Sequence, residues 1–180
     1  MKKFMKYVGI TLLVIILVFF SLGLFVPSVS YESKVVVNKP VETSFGVFTN
    51  ALKLEDWITG LKGIGWISGN QNEIGSKWKF IITRNGTAYE MVQTLDGFKT
   101  NELFAFKTDN DLFTNQADVK FINKGTSTEI IATSRLNGNN IFWRSVFFIG
   151  QSYLAAQDQE MYDKLKGVIE KEEVKEEPLP

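Results

Sequence analysis

The chain of 180 residues contains neither cysteine nor histidine. Without cysteine there can be no disulfide, no thiolate nucleophile and no Cys-ligated metal. Without histidine, Ser-His-Asp and Cys-His nucleophile arrangements are excluded. A histidine pH switch is excluded as well, and most zinc sites lose their usual ligands. Any acid–base chemistry would have to come from Asp, Glu, Tyr, Lys or water. Charge of either sign is not in excess either: 20 basic and 20 acidic residues cancel. A nucleic-acid partner, which calls for a basic face, is therefore not expected. Asp109, Asp111 and Asp118 are too scattered for a calcium loop. Lys62-Gly63-Ile64-Gly65 lacks the strand-before, helix-after setting of a phosphate loop. No metal and no cofactor are expected.

What is present is apolar: 44% hydrophobic residues and 13% aromatic ones, enough for one folded domain with appendages. Val8 to Val26 is an uncharged apolar run that would span roughly 28 Å as a helix, enough for a bilayer core. Lys2, Lys3 and Lys6 precede it and Tyr7 stands at an interfacial position. Positive charge stays inside, so the run reads as a single-pass membrane anchor with a cytoplasmic N-terminus and the domain on the outer side. A cleaved signal peptide is the alternative, although its apolar region is usually shorter and no clean small-x-small site follows. The expected division is an anchor over 1–27, a domain over 28–170 and a solvated acidic tail over 171–180.

Within the domain, Ser30 to Val37 is a β-branched strand pattern. Pro40 and Glu42 mark a helix start, with Val41, Phe45 and Phe48 at helical spacing. A second short helix is expected over Leu54 to Leu61, and Trp66 to Ser68 reads as a short strand. Lys77–Arg84 and Thr87–Leu95 flank Asn85-Gly86, a two-residue hairpin signal that fixes the register. Arg84 then faces Thr87, Ile82 faces Tyr89, Phe80 faces Met91 and Trp78 faces Gln93. Opposed residues share a face, so Trp78, Phe80, Ile82, Tyr89 and Met91 form one apolar surface. Glu90 falls on the other surface, diagonal to Lys79, as half of an exposed pair. Asn101–Lys107 and Gln116–Ile122 continue the strands. Thr128, Ile130 and Ala132 are expected opposite Phe121, Val119 and Ala117. A single long helix over Ile141 to Glu170 carries Phe147, Leu154, Met161, Leu165 and Val168 at steps of three, four and seven. The fold class is α+β: a curved antiparallel sheet of six to seven strands gripping a long C-terminal helix, with two short helices after the first strand and a separate N-terminal transmembrane helix.

In that order of elements, Val37-Asn38-Lys39-Pro40-Val41-Glu42, Trp57, Gly75-Ser76 and Lys124-Gly125-Thr126 resemble the structural marks of the START/polyketide-cyclase (SRPBCC) superfamily. The resemblance covers nearly all of residues 30 to 170. It implies the helix-grip fold and a cavity for a hydrophobic or amphipathic small molecule. Members of the superfamily include lipid carriers, hormone receptors and aromatic-polyketide cyclases, and the fold alone does not choose among them.

The candidates for such a cavity are Trp57, Trp78, Phe80, Ile82, Tyr89, Met91, Gln93, Phe104, Phe106, Val119, Phe121, Trp143 and Phe147; each is equally a candidate for plain core. Tyr89 and Gln93 bring polar ends to the apolar face. Arg84 would meet a ligand carboxylate or phosphate there, or sit in solvent beside the turn. Ile141 to Ile149 is more apolar than one buried stripe needs, which suits contact with the bilayer or cavity as well as simple burial. No cluster of acid–base residues stands out, so no catalytic residue is assigned. The expected partners are a lipid or other hydrophobic small molecule, and a membrane through residues 8–26. The other readings are a cyclase- or dehydrase-like enzyme using a cavity Tyr, Asp or Glu, marked by buried polar side chains meeting in the pocket, and a protein-interaction module, marked by a filled interior.

Overall fold

The computed structural model describes residues 1–84 and 86–173. Helix α1 (Lys2–Phe25) leads into β1 (Ser28–Val37). Two short helices follow, α2 (Val41–Thr49) and α3 (Leu54–Trp57), bridged by a 3₁₀ turn at Ala51–Lys53. Then come β2 (Leu61–Ser68), β3 (Lys77–Arg84), β4 (Thr87–Lys99), β5 (Leu103–Asp109), β6 (Phe113–Asn123) and β7 (Thr128–Gly138), and finally α4 (Ile141–Ile149) and α5 (Gln151–Lys171). All strands pair antiparallel in one curved sheet ordered β1-β7-β6-β5-β4-β3-β2. This is the α+β architecture expected from the pattern of elements.

The hairpin of β3 and β4 has the expected register, with Arg84 opposite Thr87 and Trp78 opposite Gln93; Asn85 itself lies outside the described residues. Lys79 and Glu90 form an exposed pair at 3.1 Å on the outer face. At β6–β7 the register differs by two residues from the expected one. Phe121 faces Ile130, Val119 faces Ala132 and Ala117 faces Ser134. Pairing continues through Asn123 opposite Thr128, and a four-residue turn closes where Lys124 N–H donates to the Ser127 carbonyl at 2.9 Å. Gly125 supplies the positive φ of 84° inside that turn. A shift of two keeps every side chain on its face, so the inward set is unchanged.

The larger differences in element boundaries concern the helices. The second short helix stops at Trp57, and the glycine-rich stretch after it is strand β2, because Gly63 and Gly65 pair with β3. The long C-terminal helix is two helices, parted at Gly150. Asn140 caps the first of them, its Oδ1 accepting the Trp143 N–H at 3.0 Å. The helix end at Lys171 and the next two residues are described; the remainder of the acidic tail, 174–180, lies outside the described residues.

The solid core sits toward one end of the sheet. Val41, Phe45 and Phe48 of α2 and Leu165 and Ile169 of α5 pack on Val35, Val119, Phe121 and Ile130. Leu165, Ile169, Val119 and Ile130 are fully buried. Helix α1 stands apart, exposed along most of its length. Only its C-terminal turns touch the domain, where Phe19 meets Phe142 with ring centres 5.7 Å apart. At 24 residues it is about 36 Å long. Among the described residues it alone is long and apolar enough to cross a membrane, a property shared by signal sequences.

Candidate ligand cavity

Away from the solid end, the inner face of the sheet borders a cavity of about 620 Å³. Antiparallel pairing arranges its wall in rows. One row runs Trp66, Trp78, Gln93, Thr108 and Asn115 across β2 to β6. The next runs Leu95, Phe106, Ala117 and Ser134 across β4 to β7. Directly opposed residues point the same way, and every one of these faces the cavity. Helix α5 closes it with Asp158, Met161 and Tyr162, and the segment from Phe48 to Ile58 supplies one flank. Trp66 is 54% exposed and stacks on Trp78 with ring centres 6.2 Å apart. With the exposed residues Asn70, Gln71 and Asn72 it forms the rim.

The polar groups of the wall are few and mostly paired to one another. Trp78 Nε1–H donates to Gln93 Oε1 at 2.9 Å, and Gln93 Nε2–H donates to Thr108 Oγ1 at 3.1 Å. This ladder holds the Gln93 amide in place between two partners. Among the described residues, Asn115 Oδ1, next in the row, and the Trp57 Nε1–H are buried without a partner. Leaving such groups unmatched costs about 1–3 kcal/mol each.

A second polar group gathers where α5 crosses β1. Asp158 Oδ2 accepts a hydrogen bond from Ser33 Oγ at 2.7 Å. Burial raises the Asp158 carboxyl above the usual carboxylate range, and the Ser33 bond offsets part of that rise. Tyr31 is pushed up to about 12 by burial and by the Asp158 charge, against a hydrogen bond with Ser134. Tyr162 is driven well above the ordinary tyrosine range by burial, with Asp158 and Tyr31 adding to it. Both tyrosines therefore stay neutral at physiological pH, able to donate. Asp158, Tyr162 and Ser134 of this group line the pocket, while Ser33 and Tyr31 lie outside its lining; the cluster is not evident in the sequence.

Of the residues expected at a cavity, Trp57, Trp78, Phe80, Ile82, Met91, Gln93, Phe104 and Phe106 line this one. The others sit elsewhere. Val119 and Phe121 are solid core, because α2 lies over that end of β6 and brings Phe45 and Phe48 within 5.1 and 5.4 Å of the Phe121 ring. Tyr89 is 40% exposed near the hairpin tip, where the sheet outruns its cover. Arg84, also near the tip, is exposed and donates to Gln157 of α5. Trp143 and Phe147 stack on each other at 5.8 Å; Phe147 packs behind the cavity residue Phe113 at 5.9 Å. Sequence reasoning missed Trp66, Thr108, Asn115, Ser134, Asp158 and Tyr162. Asp158 had a usable signal: it lies four residues after Leu154 and three before Met161, a charge placed in the apolar stripe. Among the described residues no group of His, Cys, Asp or Glu is arranged to hold a metal.

No family model matches the chain, and no curated protein sequence does. Solved structures do match. A protein of unknown function from Staphylococcus aureus superposes with a TM-score of 0.64 at 17% identity, over 79% of this chain and 94% of that one. Norcoclaurine synthase from Thalictrum flavum, solved with dopamine and hydroxybenzaldehyde, gives 0.63 at 12% identity over 86% and 93%. Ara h 8.0201 gives 0.61 at 10% identity over 79% and 97%. Seven antiparallel strands closed around a C-terminal helix, shared with these proteins, give this chain the helix-grip fold.

Proposed function

We propose that this chain is a binding module for a hydrophobic or amphipathic small molecule, tethered to a membrane by α1. The observation that carries the reading is the cavity itself: about 620 Å³, walled by aromatic and aliphatic side chains with a few fixed polar groups. Sites for small molecules typically occupy roughly 300–1,000 Å³ and have this composition. Trp57, Trp78, Phe80, Met91, Phe104 and Phe106 would hold the apolar body, with Ile82 beside them and Gln93 as a polar contact. Residues 1–27 act as the anchor and 28–170 as the binding domain, with the N-terminus cytoplasmic and the domain outside. Helix α4 fits this placement: Phe142 and Ile149 are exposed beside the end of α1, where an apolar helix lies in the bilayer interface.

The fluorescent apolar amine N-phenyl-1-naphthylamine, titrated into the full chain in zwitterionic lipid nanodiscs, tests the reading. Occupancy of the cavity quenches emission from Trp66 and Trp78 and saturates at one probe per chain. A linear, unsaturable response, identical to that of a tryptophan-bearing anchor helix alone, would mean partition into lipid and no cavity binding.

The meeting of Asp158 with Tyr31 and Tyr162 favours a second reading, an enzyme of the cyclase or dehydrase type using the carboxyl for proton transfer. Chemical change in a co-purified ligand on incubation with wild type, absent with Asp158→Asn, would select it.

A further inference from the structure

We propose that Asp158 is the recognition point for the ammonium head of an amphipathic amine, whose apolar body fills the rest of the cavity. This rests on the cavity being a ligand site. Asp158 lines the cavity, and the hydrogen bond its carboxyl accepts among the described residues comes from Ser33. No basic side chain among them pairs with it. Arg84 is engaged by Gln157, Lys164 by Glu160 and Thr59, and Lys166 by Glu170. The titratable groups facing it are Tyr31 from β1 and Tyr162 from its own helix, both neutral hydroxyls.

A carboxylate drawn out of water without a counter-charge is costly, and a cation placed beside it recovers that cost. A fatty acid would add a like charge instead.

Displacement of N-phenyl-1-naphthylamine from the full chain in zwitterionic nanodiscs by octylamine, octanol and octanoate, near pH 7.5, is the test. Octylamine should displace it at a concentration at least about tenfold below octanol, with octanoate weakest. In Asp158→Asn the gap between octylamine and octanol should close, and an unchanged far-UV circular dichroism spectrum reports the intact fold. In wild type the preference should shrink as pH falls through the titration of the carboxyl, a readout that needs no variant. Octylamine no better than octanol, or a gap unchanged both in Asp158→Asn and at low pH, overturns the amine assignment and leaves the cavity reading standing. If none of the three displaces the probe, the cavity reading fails and the amine assignment with it.

Discussion

Gly23 and Ser145 are in direct contact: the Gly23 N–H donates to Ser145 Oγ at 3.0 Å, and the same hydroxyl donates to the Phe19 carbonyl at 2.6 Å. A Cβ on Gly23 would lie 2.1 Å from the Ile141 carbonyl oxygen, so only glycine allows α1 to seat on α4. Gly23→Val should unseat it. The chain has no native cysteine, so Phe19→Cys with Phe142→Cys gives a clean cross-link; its yield should fall by more than half with Val at 23. The melting temperature of the domain should hardly move, because α1 contributes little to the core.

Phe121 is core and not cavity wall. Phe121→Ala should cost about 3–5 kcal/mol in urea unfolding, while the molecules that remain folded keep apolar-probe affinity within about twofold. A large loss of affinity at unchanged stability would place Phe121 at the ligand instead.

The legible part of this protein was its periodicity. Asn-Gly with alternation on both sides fixed the β3–β4 register to the residue, and that register set five of the cavity-lining side chains, Trp78, Phe80, Ile82, Met91 and Gln93. What could not be read was which part of an inward face is covered. Val119 and Phe104 stand opposite each other on β6 and β5, but Val119 is fully buried in the core while Phe104, which also touches Phe48 of α2, lines the cavity; that depends on contacts distant in sequence. The Asp158 cluster was hidden for a similar reason. Tyr31, Ser33 and Ser134 come from strands and Asp158 from a helix more than a hundred residues after the first of them, and no local pattern joins them. Gly150 broke the last helix without disturbing the spacing of its apolar residues, so the pattern gave no sign of it.

Trp66 is a rim residue, half exposed and stacked on Trp78. Trp66→Ala should alter unfolding free energy by no more than about 1 kcal/mol yet weaken probe binding several-fold and reduce energy transfer to the probe. Equal binding with and without Trp66 would remove it from the site.

Burial raises the Asp158 carboxyl, so the folded chain holds that proton more readily than the unfolded chain. Between the ordinary aspartate range and the raised value, stability therefore falls as pH rises, and it is constant above. Ligand-free Asp158→Asn escapes this loss. It should melt above wild type at pH 7, with the difference shrinking as pH is lowered toward the ordinary carboxylate range, by thermal unfolding at a series of pH values. A difference that grows on acidification would reverse the sign assigned to this group.

Ala117 sits on the inner face between Phe106 and Ser134, where a larger side chain would fill the hollow. Native mass spectrometry of the full chain, wild type beside Ala117→Trp, each after exposure to N-phenyl-1-naphthylamine, is the most direct measurement. Wild type should carry one small molecule per chain, the probe or a co-purified compound, and Ala117→Trp none. Wild type at its bare mass, or equal adducts on both proteins, would contradict a ligand-holding cavity.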